Sequence, residues 1–110
     1  MTRGAHVTLC RDATAALLTV DTDIDGESRR RLESAVDDLP ATVRELTLDL
    51  GHVVFADSAV LYLIHGMQRA ADHNGGRLWV AGLTGQPRTV LRHAAQLWPE
   101  AHWDSYLRAS

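Results

Sequence analysis

The sequence predicts a single α/β domain, residues 1–110, built on a small mixed sheet that is mostly parallel. Short strand-like apolar runs alternate with longer stripes of helical period, which is typical of crossover connections between parallel strands. The first two runs are joined too closely for a crossover helix, so we expect them to pair antiparallel. A length of 110 residues fits one compact domain.

The N-terminal part is predicted to form two strands. Residues 6–12 are the first, and Ala15–Val20, with the sequence AALLTV, is the second. Cys10 falls on the first strand, where we expect it to be a small buried apolar residue. Because it is the only cysteine, no disulfide is expected within the chain.

A stripe of apolar residues at i, i+3, i+4 and i+7 predicts the first helix, which Pro40 ends. The stripe consists of Leu32, Ala35, Val36 and Leu39. Three arginines, Arg29, Arg30 and Arg31, lie near the start of this helix, where cations oppose the helix dipole. We interpret them as a solvated face, with an anion-binding role as the alternative.

The second half of the chain repeats the order of strand and helix twice. Residues 46–50 and 78–81 are the predicted strands. The helix between them is the most apolar one, and it is expected to end at residues 74–76. Its predicted buried stripe is Val60, Leu63, Ile64 and Met67. A third helix is expected from Pro87, with a buried face of Val90, Leu91, Ala94 and Leu97.

The composition excludes several classes of function. All 11 basic residues are arginine, so chemistry that needs lysine, such as a Schiff base or a lysine phosphate loop, is excluded. The formal net charge of −3 gives no electrostatic case for nucleic acid as a partner. No histidine pair has metal-ligating spacing, and no G-x-S-x-G hydrolase motif is present. We therefore expect no enzyme, no metal and no cofactor.

Hydropathy and the aromatic tail (Trp98, Trp103 and Tyr106) give two further expectations. No apolar run approaches the roughly 18–20 residues of a membrane span, and the N-terminus lacks the apolar centre of a secretory signal. This pattern predicts a cytoplasmic protein away from the membrane. Trp98, Trp103 and Tyr106 are expected to cover the core, with a homodimer or partner surface as the alternative.

Asp57 and Ser58 stand at the start of the most apolar helix. The simplest interpretation is an N-cap, in which one of the two side chains accepts a hydrogen bond from an amide of the first turn. The alternative is a phosphorylation site, because a serine here can face the solvent and a helix N-terminus favours a phosphate. The two roles are compatible, since a cap fixes the position of the hydroxyl.

Residues 46–61, LTLDLGHVVFADSAVL, resemble the core motif of the STAS domain, which anti-sigma factor antagonists share with the cytoplasmic tails of sulfate transporters. In that motif a strand ends in Asp-Leu, and Asp-Ser follows ahead of an apolar helix. Residues 22–25 and 75–82 are also similar to the family, so the resemblance covers residues 6–98. It implies a mixed sheet of about four to five strands, the first pair antiparallel, with helices packed mainly on one face.

The resemblance implies partner switching. The family's unphosphorylated antagonist binds an anti-sigma factor that is also a GHKL-type serine kinase, leaves it when phosphorylated, and is reset by a metal-dependent serine phosphatase. Ser58 matches the phosphorylated serine, and the predicted partner-binding or switch region is Asp25, Asp57, Ser58, Ala59 and Val60. The family's second hydroxyl residue is Ala59 here. Its glycine is Val60, which puts a β-branched side chain where a partner backbone would approach.

Two other hypotheses stay open. A STAS module that no kinase modifies would be a scaffold or sensor in a larger signalling complex, and the departures at Ala59 and Val60 favour it. A small enzyme that uses a group of carboxylates, as a receiver-type phosphoacceptor does, is opposed by the absence of lysine. Those carboxylates are Asp23, Asp25, Asp49 and Asp57.

Overall fold

The computed structural model describes residues 4–109. The strands are β1 (Ala5–Leu9), β2 (Ala15–Val20), β3 (Glu45–Asp49) and β4 (Arg77–Ala81). The helices are α1 (Gly26–Asp37), α2 (Ala59–His73), α3 (Gly85–Leu97) and α4 (Asp104–Ala109), with a 3-10 turn at Pro99–Ala101 before α4. This order confirms the predicted alternation and resolves the tail into the 3-10 turn and α4. None of the helices in residues 4–109 combines the length and apolar character needed to cross a membrane.

The four strands form one mixed sheet in the order β1-β2-β3-β4. β1 pairs antiparallel with β2, and β2, β3 and β4 pair parallel, as predicted. The chain crosses back through a helix between parallel strands, so the carboxyl ends of β2, β3 and β4 lie at one edge. Each of these ends leads into the N-terminus of a helix, and this edge carries the predicted site.

One face of the sheet forms the core. Along β2, β3 and β4 the buried side chains alternate with half-buried or exposed ones, as the two-residue period of a strand requires. Helices α1, α2 and α3 contribute buried residues such as Leu32, Leu63 and Leu91 to the same cluster. The opposite face is open, and Leu17 and Trp79 are 36% and 46% exposed there. The prediction that the helices pack mainly on one face of the sheet is therefore confirmed.

Helix α2 is the central helix, and its predicted stripe is confirmed. The buried residues of that stripe are Val60, Leu63, Ile64 and Met67. The predicted stop is also confirmed, because α2 ends at His73 and the backbone N–H of Gly76 donates to the carbonyl of Ala71 at 2.8 Å. This hydrogen bond is typical of helix ends in which the residue after the cap has a left-handed backbone conformation. Gly75 is that residue here, with φ of +69°.

The prediction for Cys10 is wrong. β1 ends at Leu9, and Cys10 is an exposed free thiol in the turn that leads to β2. The hairpin places its thiol 2.9 Å from Oδ1 of Asp12, to which it donates a hydrogen bond. That bond, followed by bonds from the side chain and backbone of Thr14, lowers the pKa of Asp12 to about 2. The strand therefore ends three residues earlier than the predicted end at residue 12.

The buried face of α3 also differs from the prediction at its end. Leu97 is 68% exposed, whereas Pro87, Leu91 and Ala94 are buried. These three residues follow an i, i+4, i+7 stripe, and Leu97 lies off that stripe by about a quarter turn. The helix also begins at Gly85, two residues before the predicted start at Pro87.

Candidate functional site

The loop that carries Asp57 and Ser58 is fixed by its neighbour along the sheet edge. Ile24 and Ala56 form an isolated parallel bridge between the loop before α1 and the loop before α2. The backbone N–H of Ile24 donates to the carbonyl of Phe55, and the N–H of Asp57 donates to the carbonyl of Ile24, each at 3.0 Å. The bridge therefore places the N-termini of α1 and α2 side by side.

Gln86 holds the same loop from the other side. Its Nε2 donates to the carbonyl of Ala56, and the backbone N–H of Ala56 donates to its Oε1, each at 2.7 Å. Ala56 is 0% exposed, so this one amide side chain satisfies both of its buried backbone groups. Gln86 directly precedes the predicted start of the third helix, and the sequence offers no local signal for this contact, which spans 30 residues.

Asp57 and Ser58 have separate roles at the start of α2. Oδ1 of Asp57 accepts a hydrogen bond from the backbone N–H of Ala59 at 2.7 Å, whereas the Ser58 side chain makes no capping hydrogen bond. Both residues are exposed. The predicted cap is thus confirmed for Asp57, and it leaves the Ser58 hydroxyl available to the solvent at a helix N-terminus.

Ala59 and Val60 do not contribute side chains to the surface of the predicted switch region. They are 6% and 0% exposed, because the first turn of α2 packs its apolar stripe against the sheet. The β-branched side chain of Val60 therefore faces the core and not a partner, which corrects the expectation from the sequence. Asp25, Asp57 and Ser58 are exposed, and they form the surface of this region.

Asp25 caps α1 in a reciprocal arrangement with Ser28. Its Oδ1 accepts hydrogen bonds from the backbone N–H groups of Ser28 at 2.9 Å and Glu27 at 3.1 Å. The backbone N–H of Asp25 donates to Oγ of Ser28 at 2.9 Å, and Ser28 is 4% exposed. The bond from the Ser28 backbone is the main reason that the pKa of Asp25 lies below its ordinary value.

Replacing Asp25 with alanine is expected to lower the melting temperature at pH 7, because the first turn of α1 loses its cap. The depressed pKa means that the ionised carboxylate stabilises the folded chain above the unfolded pKa of about 3.9. That contribution is lost as the pH falls through the lower folded-state pKa. The difference between wild type and Asp25→Ala should therefore be largest at pH 7 and shrink below about pH 4.

Thermal unfolding followed by circular dichroism across this pH range checks the expectation. Asp23→Ala is the matched control, because Asp23 is exposed two residues earlier and no cap uses its side chain. An equal loss for both variants at pH 7 would contradict the assignment of the cap to Asp25.

A groove runs from Ser58 along α2. Ser58, Leu61, Tyr62 and His65 form one stripe of the helix and line a groove of about 340 Å³. The wall across from them is made by Trp98, Glu100, Ala101 and Trp103. The lining is mostly apolar, with the Ser58 hydroxyl at the N-terminal end of the stripe. A substituent on Ser58 would change this surface directly.

The aromatic tail builds the far wall of the groove. Trp103 and Tyr106 are half-buried and pack against the core, as predicted, with ring centroids 5.9 Å apart. The Tyr106 hydroxyl donates to Oε1 of Gln68 on α2 at 2.9 Å, and burial raises the pKa of Tyr106. Trp98 is 48% exposed and does not cover the core. Phe55 adds an exposed aromatic ring in the loop before Ser58.

Arg29 does not lie on a fully solvated face, contrary to the prediction. Its guanidinium carbon lies 5.1 Å from the centroid of the Tyr62 ring, in a cation–π contact. Its Nε lies 4.0 Å from a carboxylate oxygen of Glu33 and has no hydrogen-bond partner among the described residues. Arg30 and Arg31 are exposed, as predicted.

Within residues 4–109 no three His, Cys, Asp or Glu side chains converge on a cation-sized site.

Comparisons with known proteins agree with this fold. The solved structure of the anti-sigma factor antagonist SpoIIAA in its unphosphorylated form is similar, with a TM-score of 0.61 and 15% identity over 81% of this chain and 82% of that chain. The crystal structure of Mglu gives a TM-score of 0.58 and 24% identity over 68% of this chain. The matched region spans 18% of the Mglu chain. No curated protein sequence matches.

A family model gives the assignment. The model described as "Mlab, STAS domain" matches residues 7–96, which include part of β1, all of β2, β3 and β4, the capped starts of α1 and α2, and Gln86. The two solved structures are similar to this chain in fold over the parts that they cover. Since the family model covers most of its length, the chain belongs to the STAS domain family.

Proposed function

We propose that this chain is an anti-sigma factor antagonist that acts by binding rather than by catalysis. In this proposal it binds an anti-sigma factor with GHKL-type serine kinase activity, and phosphorylation of Ser58 ends the complex. A metal-dependent serine phosphatase resets the switch in the cytoplasm, and neither nucleic acid nor a membrane is contacted. Membership of the STAS domain family and the fold shared with SpoIIAA support the class of function.

The observation that carries the proposal is the exposure of Ser58 and the availability of its hydroxyl. Its hydroxyl is exposed at the N-terminus of α2 and is not used in the cap, which Asp57 provides. The loop before it is hydrogen-bonded to Ile24 and Gln86. A kinase would therefore meet an exposed serine at the end of a loop that is held on both sides.

The surroundings of Ser58 explain how one phosphate could end a complex. Phosphorylation adds a charge of about −1.5 to −2 at neutral pH. The phosphate would stand beside Asp57 and at the end of the groove lined by Leu61 and Trp98. A partner that buries an apolar side chain in this groove would have to desolvate the phosphate, and the desolvation of an ion is costly even where it is paired.

Intact-mass spectrometry of the protein isolated from its native host, under several stresses, tests the proposal. Wild type is expected to carry one added phosphate, and Ser58→Ala none. Ser34→Ala is the matched control, because Ser34 is an exposed serine on α1, and it should keep the phosphate. Absence of phosphate from wild type, or a phosphate that persists in Ser58→Ala, would refute Ser58 as the switch.

A second candidate is a STAS scaffold or sensor in a larger complex that no kinase modifies. The matching family model is described by the name Mlab and not by an anti-sigma function, and Ala59 replaces the second hydroxyl of the antagonist motif. This candidate predicts a complex whose affinity does not depend on Ser58. It would gain support if Ser58→Asp bound the native partner as tightly as wild type does.

A further inference from the structure

Arg29 contacts a residue that shares a stripe of α2 with Ser58. The bridge between Ile24 and Ala56 sets the first turns of α1 and α2 side by side. The Arg29 guanidinium stacks on Tyr62, which follows Ser58 by four residues. Residues four apart on a helix have Cβ atoms about 5–6 Å apart and share a face. The charge of Arg29 therefore lies against the residue that follows Ser58 by one helical turn.

The guanidinium has spare capacity to bind an anion. Arginine carries five N–H donors in a planar fork that matches phosphate. In the described part of the chain, the nearest anionic partner of Arg29 is Glu33, at 4.0 Å from Nε, which is too far for a hydrogen bond. Stacking on Tyr62 limits the positions that the side chain adopts, so less conformational freedom is lost on binding.

The rest of the surface around Ser58 would repel a phosphate. Asp57 is adjacent in sequence and Asp25 lies at the neighbouring helix start. The partial positive charge of the α2 N-terminus offsets only part of this repulsion. A cation nearby would stabilise the phosphorylated form, and Arg29, which contacts Tyr62 on the same stripe of α2, is the candidate for it.

We infer that Arg29 is an internal phosphate-binding residue that pairs with phosphorylated Ser58 from its position over the Tyr62 ring. The inference rests on the proposed phosphorylation of Ser58. The pair would hold the phosphate over the α2 stripe at the end of the groove, so the modified chain stays folded while its binding surface is occupied. Phosphorylation would then act by covering a surface and not by unfolding a helix.

The test uses full-length protein with phosphoserine incorporated at position 58 by genetic encoding, so that no kinase is required. The second pKa of the phosphate, about 6 in an isolated phosphoserine, is measured by ³¹P NMR titration. A guanidinium in contact favours the dianion, so this pKa is expected to be lower in wild type than in Arg29→Gln by at least about 0.5. Arg29→Lys should keep part of the difference, because it keeps the charge but loses the fork.

Arg30→Gln is the matched control, because Arg30 is the next residue of α1, carries the same charge and is exposed. It is expected to titrate as wild type does. The other charged or titratable groups around the site are common to all the proteins compared, so differences between variants report the arginine changed. These groups are Asp25, Glu33, Asp57, His65 and Glu100.

Equal phosphate pKa values for wild type and Arg29→Gln would overturn the inference, as would equal changes for Arg29→Gln and Arg30→Gln. Urea unfolding gives a second readout, in which phosphorylation should destabilise Arg29→Gln more than Arg30→Gln. Because the phosphate is installed without a kinase, failure of these tests leaves the proposed switch intact. The mass spectrometry of host protein decides that proposal separately.

Discussion

Gly76→Ala is expected to destabilise the protein by about 3 kcal/mol, a cost at the upper end for overpacking. A Cβ atom on Gly76 would lie 1.8 Å from the carbonyl oxygen of Arg44 and 2.6 Å from its Cα atom. Both are backbone atoms, and the N–H of Arg77 already donates to that carbonyl at 2.7 Å. The new methyl group can be accommodated only if the start of β4 moves away from the start of β3.

Gly75→Ala separates this steric effect from the conformational one. Gly75 has a φ of +69°, and no atom lies within 4 Å of the position that its Cβ would take. A left-handed alanine costs about 1–2 kcal/mol, without any clash. Urea unfolding of both variants measures the difference. If Gly76→Ala cost no more than Gly75→Ala, the close approach between Gly76 and Arg44 would be disproved.

The elements of this fold could be predicted from the sequence because their signals are local. The stripe of Val60, Leu63, Ile64 and Met67 has the period of a helix with one buried face, and burial against the sheet preserves it. The stop at Gly75 is equally local, since a left-handed residue is the usual end of a helix. The turn at Cys10 was missed because cysteine is an apolar residue type and directly follows Leu9, the last paired residue of β1.

The candidate site was predictable only in part. Asp57 and Ser58 could be found because the residues that cap a helix are adjacent in sequence to its first turn. The contacts of Gln86 with Ala56 and of Arg29 with Tyr62 join residues about 30 positions apart. The periodicity of a single sequence predicts local elements and does not predict contacts of this range. The groove depends on the tail folding back beside α2, which the position of Trp98 in the sequence does not indicate.

Gln86→Leu is expected to cost about 2 kcal/mol of folding stability, because it leaves the N–H and the carbonyl of Ala56 without partners. Ala56 is 0% exposed, so water does not readily replace the lost amide. Gln96→Leu is the matched control, since Gln96 is an exposed glutamine on the same helix, and it should change stability by less than about 0.5 kcal/mol. Urea unfolding at pH 7 measures both.

Gln86→Glu tests the direction of the two hydrogen bonds, because an ionised carboxylate can accept from the Ala56 N–H but cannot donate to the Ala56 carbonyl. Only the protonated form restores that donor, so the pKa of the introduced carboxyl should be raised in the folded state above its unfolded value of about 4.3. The protonated form then stabilises the fold below the unfolded pKa, and this contribution is lost as the pH rises through the folded pKa. The variant should therefore be clearly less stable than wild type at pH 7 and approach it near pH 4. An equal deficit at both values would mean that Gln86 does not hold the loop of Ser58 through its amide donor.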